Sequence, residues 1–204
     1  LIGFGGAPFT LASYAIEGKG SRNYVHVKQM MYGDTGAWHT LMTKITDAVI
    51  DYMNYQIDSG VQAVQLFDSW VGCLSPVDYL EYVYVHTERL MTAISGKVPV
   101  IHFGTGNPAL APLMAKAGGD VLALDWRTPL RETWELTGVK AVQGNMDPII
   151  LCADRASVER KAGEVLAEVD GKPGHIFNLG HGIIPETPVD NVKALVDFVH
   201  QYPV

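Results

Sequence analysis

The residues with chemical reach are few and fall at comparable places in the chain. Asp68 and Ser69 close the apolar run VQAVQLFDSW, His181 stands between two glycines in NLGHGIIP, and Tyr14 lies in GAPFTLASY, downstream of the opening apolar run. A carboxyl, a hydroxyl, an imidazole and a phenol can hold polar ligands or move protons. Glycines on both sides of His181 let the backbone turn sharply and present the ring, with a turn histidine bonded to nearby backbone as the alternative. Asp68 and Ser69 interrupt an apolar strand and need partners if buried, or else they cap the following loop. Tyr14 reads equally as a core tyrosine with a bonded hydroxyl.

Two other patterns suggest different chemistry. GTGNPA, Gly104 to Ala109, follows an apolar run, opens a helical pattern and has Asp125 at the end of the next run, which is the dinucleotide fingerprint in outline. A tight strand-to-helix turn accounts for the same glycines. His102 and Cys152 raise the question of zinc, but Gly104 stands where a His-x-Cys strand would place its thiol, and no third ligand has suitable spacing. A barrel-facing or satisfied core histidine is expected there, and no metal.

The elements that must position these groups recur. Continuous apolar runs at Leu1 to Gly6, Val61 to Trp70, Val98 to Gly106, Val121 to Trp126, Lys140 to Asp147 and His175 to Gly182 read as strands covered on both faces, hence as a parallel sheet. Helical periodicity fills the spaces, over Trp38 to Ser59, Val77 to Ile94, Ala109 to Ala117, Pro129 to Thr137, Pro148 to Val169 and Val189 to Tyr202. Proline at the front and glycine at the back recur, as in Pro129 with Gly138. Six strand-helix units accept either an open doubly wound sheet or a (β/α)8 barrel. Reactive or backbone-permissive residues at every strand end favour the barrel, because all those ends converge on one mouth.

A complete barrel takes about 250 residues, so the chain is expected to be a single (β/α) barrel domain, residues 1 to 204, with about two units missing ahead of Leu1. Fifteen Lys plus Arg against 22 Asp plus Glu give a net charge of −7. No global basic field exists to hold nucleic acid or an acidic membrane surface. The uncharged opening LIGFGGAPFTLASYAI is shorter than the roughly 20 residues a membrane span needs and lacks the basic flank of a signal peptide. Cys73 and Cys152, far apart and outside any CxxC pairing, are expected to be buried thiols in a reducing, cytoplasmic compartment.

Five motifs, LIGFGGAPFTLASYAIEG, QAVQLFDSWVG, LDW, VQGNMDP and HIFNLGHGIIPETP, closely resemble the uroporphyrinogen decarboxylase family in order and separation. The resemblance implies a distorted (β/α)8 barrel, usually a homodimer. It implies an enzyme of haem and tetrapyrrole biosynthesis that removes carbon dioxide from the four acetate side chains of uroporphyrinogen III, giving coproporphyrinogen III without a cofactor. It makes Tyr14, Ser69 and His181 substrate-contacting positions on one cleft and Phe4 part of the cleft wall. The family's arginine motif and catalytic aspartate precede Leu1 by the same comparison, so these 204 residues alone are expected not to decarboxylate.

The implied chemistry suits those residue types. A pyrrole protonated at a ring carbon is its own electron sink, so no pyridoxal or thiamine is required, and a phenol, a hydroxyl and an imidazole position the acids around it. Departures are confined to scaffold positions: the family's prolines near Val85 and Gly36 are absent. The rival readings are a dinucleotide oxidoreductase resting on GTGNPA, a zinc-dependent methyltransferase of the same superfamily, whose histidine His102 would match, and a non-catalytic ligand-binding barrel.

Overall fold

The structure, a computed structural model, describes residues 1–203. It divides into two compact units, Leu1–Leu122 and Ala123–Val204. The first carries β1 (Ile2–Gly6), α1 (Pro8–Glu17), α2 (Val25–Gly33), α3 (Thr35–Asp58), β2 (Ala63–Asp68), α4 (Pro76–Tyr82), α5 (Tyr84–Ile94), β3 (Val100–Gly104) and α6 (Ala111–Ala117). β4 (Val121–Leu124) crosses the boundary, and the second unit continues with α7 (Leu130–Thr137), β5 (Ala141–Met146), α8 (Arg155–Val169), β6 (His175–Leu179) and α9 (Val189–Gln201). Strands lie in chain order, β1-β2-β3 and then β4-β5-β6. Pairing is parallel, with Phe4 opposite Gln65, Leu66 opposite His102, and Met146 opposite Leu179.

Strand alternation sorts the side chains of the first unit onto two faces. Val64, Leu66 and Val100 join Val49, Met53, Leu90, Met91 and Ile94 from α3 and α5 in a dry core. On the same face of β1, Gly3 and Gly5 leave room for Gln56 and Met53 of α3 to lie against the strand. The opposite face carries Phe4, Phe67 and Phe103 in a row, with ring centroids 6.1 and 5.7 Å apart and edge-to-face tilts of 85° and 68°. That geometry suits aromatic quadrupoles. In the second unit Met146, Leu151, Val158, Ala162 and Leu195 form the core, with Phe177 and Leu179 of β6 packed on it.

All six expected strands are present, and the helices differ from expectation in three places. α1 and α2 occupy a stretch in which no helix was anticipated; α1 begins at Pro8 and stops at Gly18, φ 70°. The run from Val77 to Ile94 is two helices, because the Trp38 indole N–H donates to the Tyr82 carbonyl at 2.9 Å and the turn reforms with His86 N–H on Val83 O. The run from Pro148 to Val169 opens as a 3-10 turn, Pro148–Cys152. Asn191 donates to the carbonyls of Leu151 and Ala153, and Asp154 then caps α8 through the Ser157 N–H at 2.9 Å. Cys152, expected to be buried, is exposed at the end of that turn, and Cys73 is half-buried. No helix among the described residues is long and apolar enough to cross a membrane.

Candidate active site

In the first unit the loop after β2 and the first turns of α1 make one cluster. Pro8 starts α1 immediately after β1, and the Ala7 N–H donates to Phe67 O at 2.8 Å, which ties the helix start to β2. Thr10 and Tyr14, one helical turn apart, therefore face the residues that follow Phe67. The Thr10 hydroxyl donates to Asp68 Oδ1 at 2.8 Å and accepts the Trp70 N–H at 3.3 Å. The Tyr14 ring stacks on Trp70 with centroids 3.8 Å apart, and Tyr24 meets the same indole edge-on at 5.7 Å. Tyr14 and Phe4 are 51% and 62% exposed, and Ser69 is half-buried between Asp68 and Trp70.

Asp68 is fully buried, and its Oδ2 has no hydrogen-bond partner among the described residues. Loss of hydration raises its pKa from 3.8 to about 7, against the lowering effect of the Thr10 hydrogen bonds. Burial likewise pushes Tyr24 up to about 12, helped by the neighbouring Cys73, Tyr14 and Glu17.

In the second unit the groups gather around Trp126. Asp125 is buried and accepts from the Arg127 N–H at 3.0 Å, Arg127 Nη1 at 2.9 Å and the Thr128 hydroxyl at 3.1 Å. This carboxylate is already engaged, so it does not supply the ribose acceptor that the dinucleotide reading requires. Arg127 lies over Trp126, 3.8 Å from the ring centroid, and His181 meets that ring edge-on at 6.5 Å. Gly180 permits the approach: a Cβ there would fall 2.4 Å from the Trp126 backbone nitrogen. A cleft of about 530 Å³ adjoins Arg127 and Asn145, but His181 is not in its wall, and the cation Lys161 is paired with Glu164 at 2.6 Å.

The structure thus brings Tyr14 beside the Ser69-Trp70 loop in the first unit and, in the second, sets His181 edge-on to Trp126, over whose ring Arg127 lies. Phe4 ends the aromatic row on the open face of β1. Thr10 and Arg127 carry no signal in the sequence, and Trp70 is legible there only as the end of an apolar run. Asp68 was visible as a polar break in an apolar run, but its partner Thr10 was not. The GTGNPA turn is a tight strand-to-helix connection, in which Asn107 accepts the Ala109 N–H at 3.2 Å and donates to Leu74 O at 2.8 Å.

His102 belongs to the core. Its Nδ1 lies 3.3 Å from Met114 O of α6, Nε2 has no partner among the described residues, and burial lowers its pKa from 6.5 to about 4. Among the described residues no three His, Cys, Asp or Glu side chains are grouped to hold a metal ion. Because folding favours the neutral ring, His102 stabilises fully above pH 6.5 and progressively less as pH falls toward 4. The loss over that window is about 3 kcal/mol. Urea unfolding at pH 7 and pH 4 should show the protein losing that much more stability than His102→Gln; equal losses would show that the ring does not titrate in this way.

Parallel strands in chain order, with helical returns and polar groups just past the strand ends, define a protein of the (β/α)-barrel class. A solved methyltransferase from Methanosarcina mazei superimposes with a TM-score of 0.80 over 98% of this chain and 58% of that one, at 21% identity, which shows the fold alone. The family model for uroporphyrinogen decarboxylase (URO-D) matches residues 1–202, and the chain belongs to that family. It is 55% identical over 205 residues to the uroporphyrinogen decarboxylase of Sorangium cellulosum, covering 100% of this chain and 59% of the relative. It is 51% identical to that of Thermus thermophilus, covering 98% and 59%. The chain therefore spans about 59% of the length of these curated relatives. Six strand-helix units of the family's (β/α)8 barrel are present in it.

Proposed function

We propose that the protein containing this chain is a uroporphyrinogen decarboxylase that converts the four acetates of uroporphyrinogen III to methyls, giving coproporphyrinogen III. The observation that carries this reading is the cluster in which the exposed phenol of Tyr14 stacks on Trp70, next to Ser69, just past the end of the strand that carries Phe67, whose ring meets Phe4 of β1. Phe4 and Phe67 offer an apolar wall to pyrrole rings. In this reading the hydroxyls of Tyr14 and Ser69 serve as donors to ring carboxylates, and His181, in the second unit, serves as an imidazole donor. The pyrrole supplies its own electron sink once protonated at carbon, so the reaction calls for no cofactor. The reading extends to a single barrel domain, a cytoplasmic location and a homodimer, all supported by the family resemblance.

The test is carbon dioxide release from uroporphyrinogen III by the purified full gene product. His181→Ala should lower turnover at least about tenfold while its melting temperature stays within about 3 °C of the parent, since a side chain on an exposed turn supports little packing. Absence of coproporphyrinogen from the parent protein would refute the assignment. An unchanged rate in His181→Ala would remove that residue from the site.

A further inference from the structure

We propose that Thr10 and Asp68 form a positioning clip that sets Tyr14 and Ser69 at a fixed separation for substrate carboxylates. The inference rests on the decarboxylase reading above and adds two residues to it. Tyr14 and Ser69 come from separate elements, α1 and the loop after β2, and neither is held there by a hydrogen bond of its own to the other. Thr10 sits one turn before Tyr14 on α1, and its hydroxyl spans the gap. It donates to Asp68, the residue before Ser69, and accepts from Trp70, the residue after it. Ser69 is thus bracketed on both sides by bonds to one side-chain oxygen. The stack of Tyr14 on Trp70 fixes the phenol against the same loop.

The arrangement of donors settles the roles. Because the Thr10 oxygen accepts the Trp70 N–H, its own proton is directed to Asp68 Oδ1, which therefore acts as acceptor. Asp68 Oδ2 is left buried with no partner among the described residues. A carboxyl in that state is a poor contributor to stability, and an apolar residue at this helix-facing strand position would pack as Val64 and Leu66 do. What a carboxyl adds is a directed acceptor at the base of the Ser69 loop. Residues kept at a cost to stability are characteristic of sites whose geometry matters.

A clip of this kind affects how well the ground state is held more than the bond-breaking step, so its loss should appear in KM. In the full gene product, Thr10→Val keeps the shape and removes both hydrogen bonds. It is expected to raise KM for uroporphyrinogen about tenfold with kcat changed less than about threefold, and Thr10→Ser, which restores the hydroxyl, is expected to return KM to within about threefold of the parent. Where Thr10→Val does not fold, Thr10→Ala removes the same bonds without crowding and carries the same expectation. A parent-like KM in the variants lacking the hydroxyl, or a serine variant as impaired as valine, would overturn the clip. An inactive parent protein overturns the decarboxylase reading and the clip with it, whereas an active parent with indifferent Thr10 variants overturns the clip alone.

Discussion

Asp68→Asn is expected to gain about 3 kcal/mol of stability relative to the parent protein between pH 4.5 and pH 8. Its carboxyl is fully buried, and loss of hydration raises its pKa from 3.8 to about 7. The native state therefore holds a proton that the unfolded chain releases between those two values. Relative to a group that never ionises, Asp68 costs nothing below pH 3.8, costs progressively more as pH rises, and costs its full amount above pH 7. Asparagine is isosteric, cannot ionise and keeps the oxygen that accepts the Thr10 hydroxyl, while its amide N–H groups, unpartnered where Oδ2 stood, add a cost that does not vary with pH. His102 titrates in the same range with opposite sign, but it is common to both proteins and cancels in the difference. Paired urea unfolding curves across pH 4.5 to 8 measure the effect. A difference between the two proteins that stays constant with pH would mean that Asp68 ionises without difficulty in the folded state.

Gly144→Ala costs about 3 kcal/mol or more, from two sources that act together. At φ 133° the backbone of Gly144 is in a region that L side chains rarely adopt. A Cβ built there would also lie 2.7 Å from the Leu124 carbonyl oxygen. That neighbour is backbone in β4 and cannot rotate away, so relief requires the strands to separate, in a strand where Val142 is fully buried and Met146 is nearly so. Gly20→Ala is the matched control, since nothing lies within 4 Å of its Cβ position and its φ is ordinary. It should change stability by no more than about 0.5 kcal/mol. Chemical denaturation of the two variants side by side decides the matter, and a loss below about 1 kcal/mol for Gly144→Ala would show that β5 accommodates the methyl.

The sequence by itself determined the strands, their parallel direction and the family. The clearest case is VLAL at Val121–Leu124, a continuous apolar run with all four residues buried, whereas the expected covering on both faces is not met in β1 and β6, where Ile2, Phe4 and Ile176 are exposed. The sequence also singled out Tyr14, Ser69, His181 and Phe4, because glycines, strand ends and motif order are local. The tertiary structure decided what those residues touch. No periodicity around Val83 marks the break between α4 and α5, because the cause is the indole of Trp38, 44 residues earlier. The 3-10 turn before α8 is held by Asn191, 40 residues later. Thr10 carries no signal of its own until β2 closes on β1 and sets Asp68, 58 residues on, against its hydroxyl. Helix and strand periodicity arise between near neighbours, whereas a hydrogen bond across a closed loop exists only after the intervening chain has folded and water has been excluded from both partners.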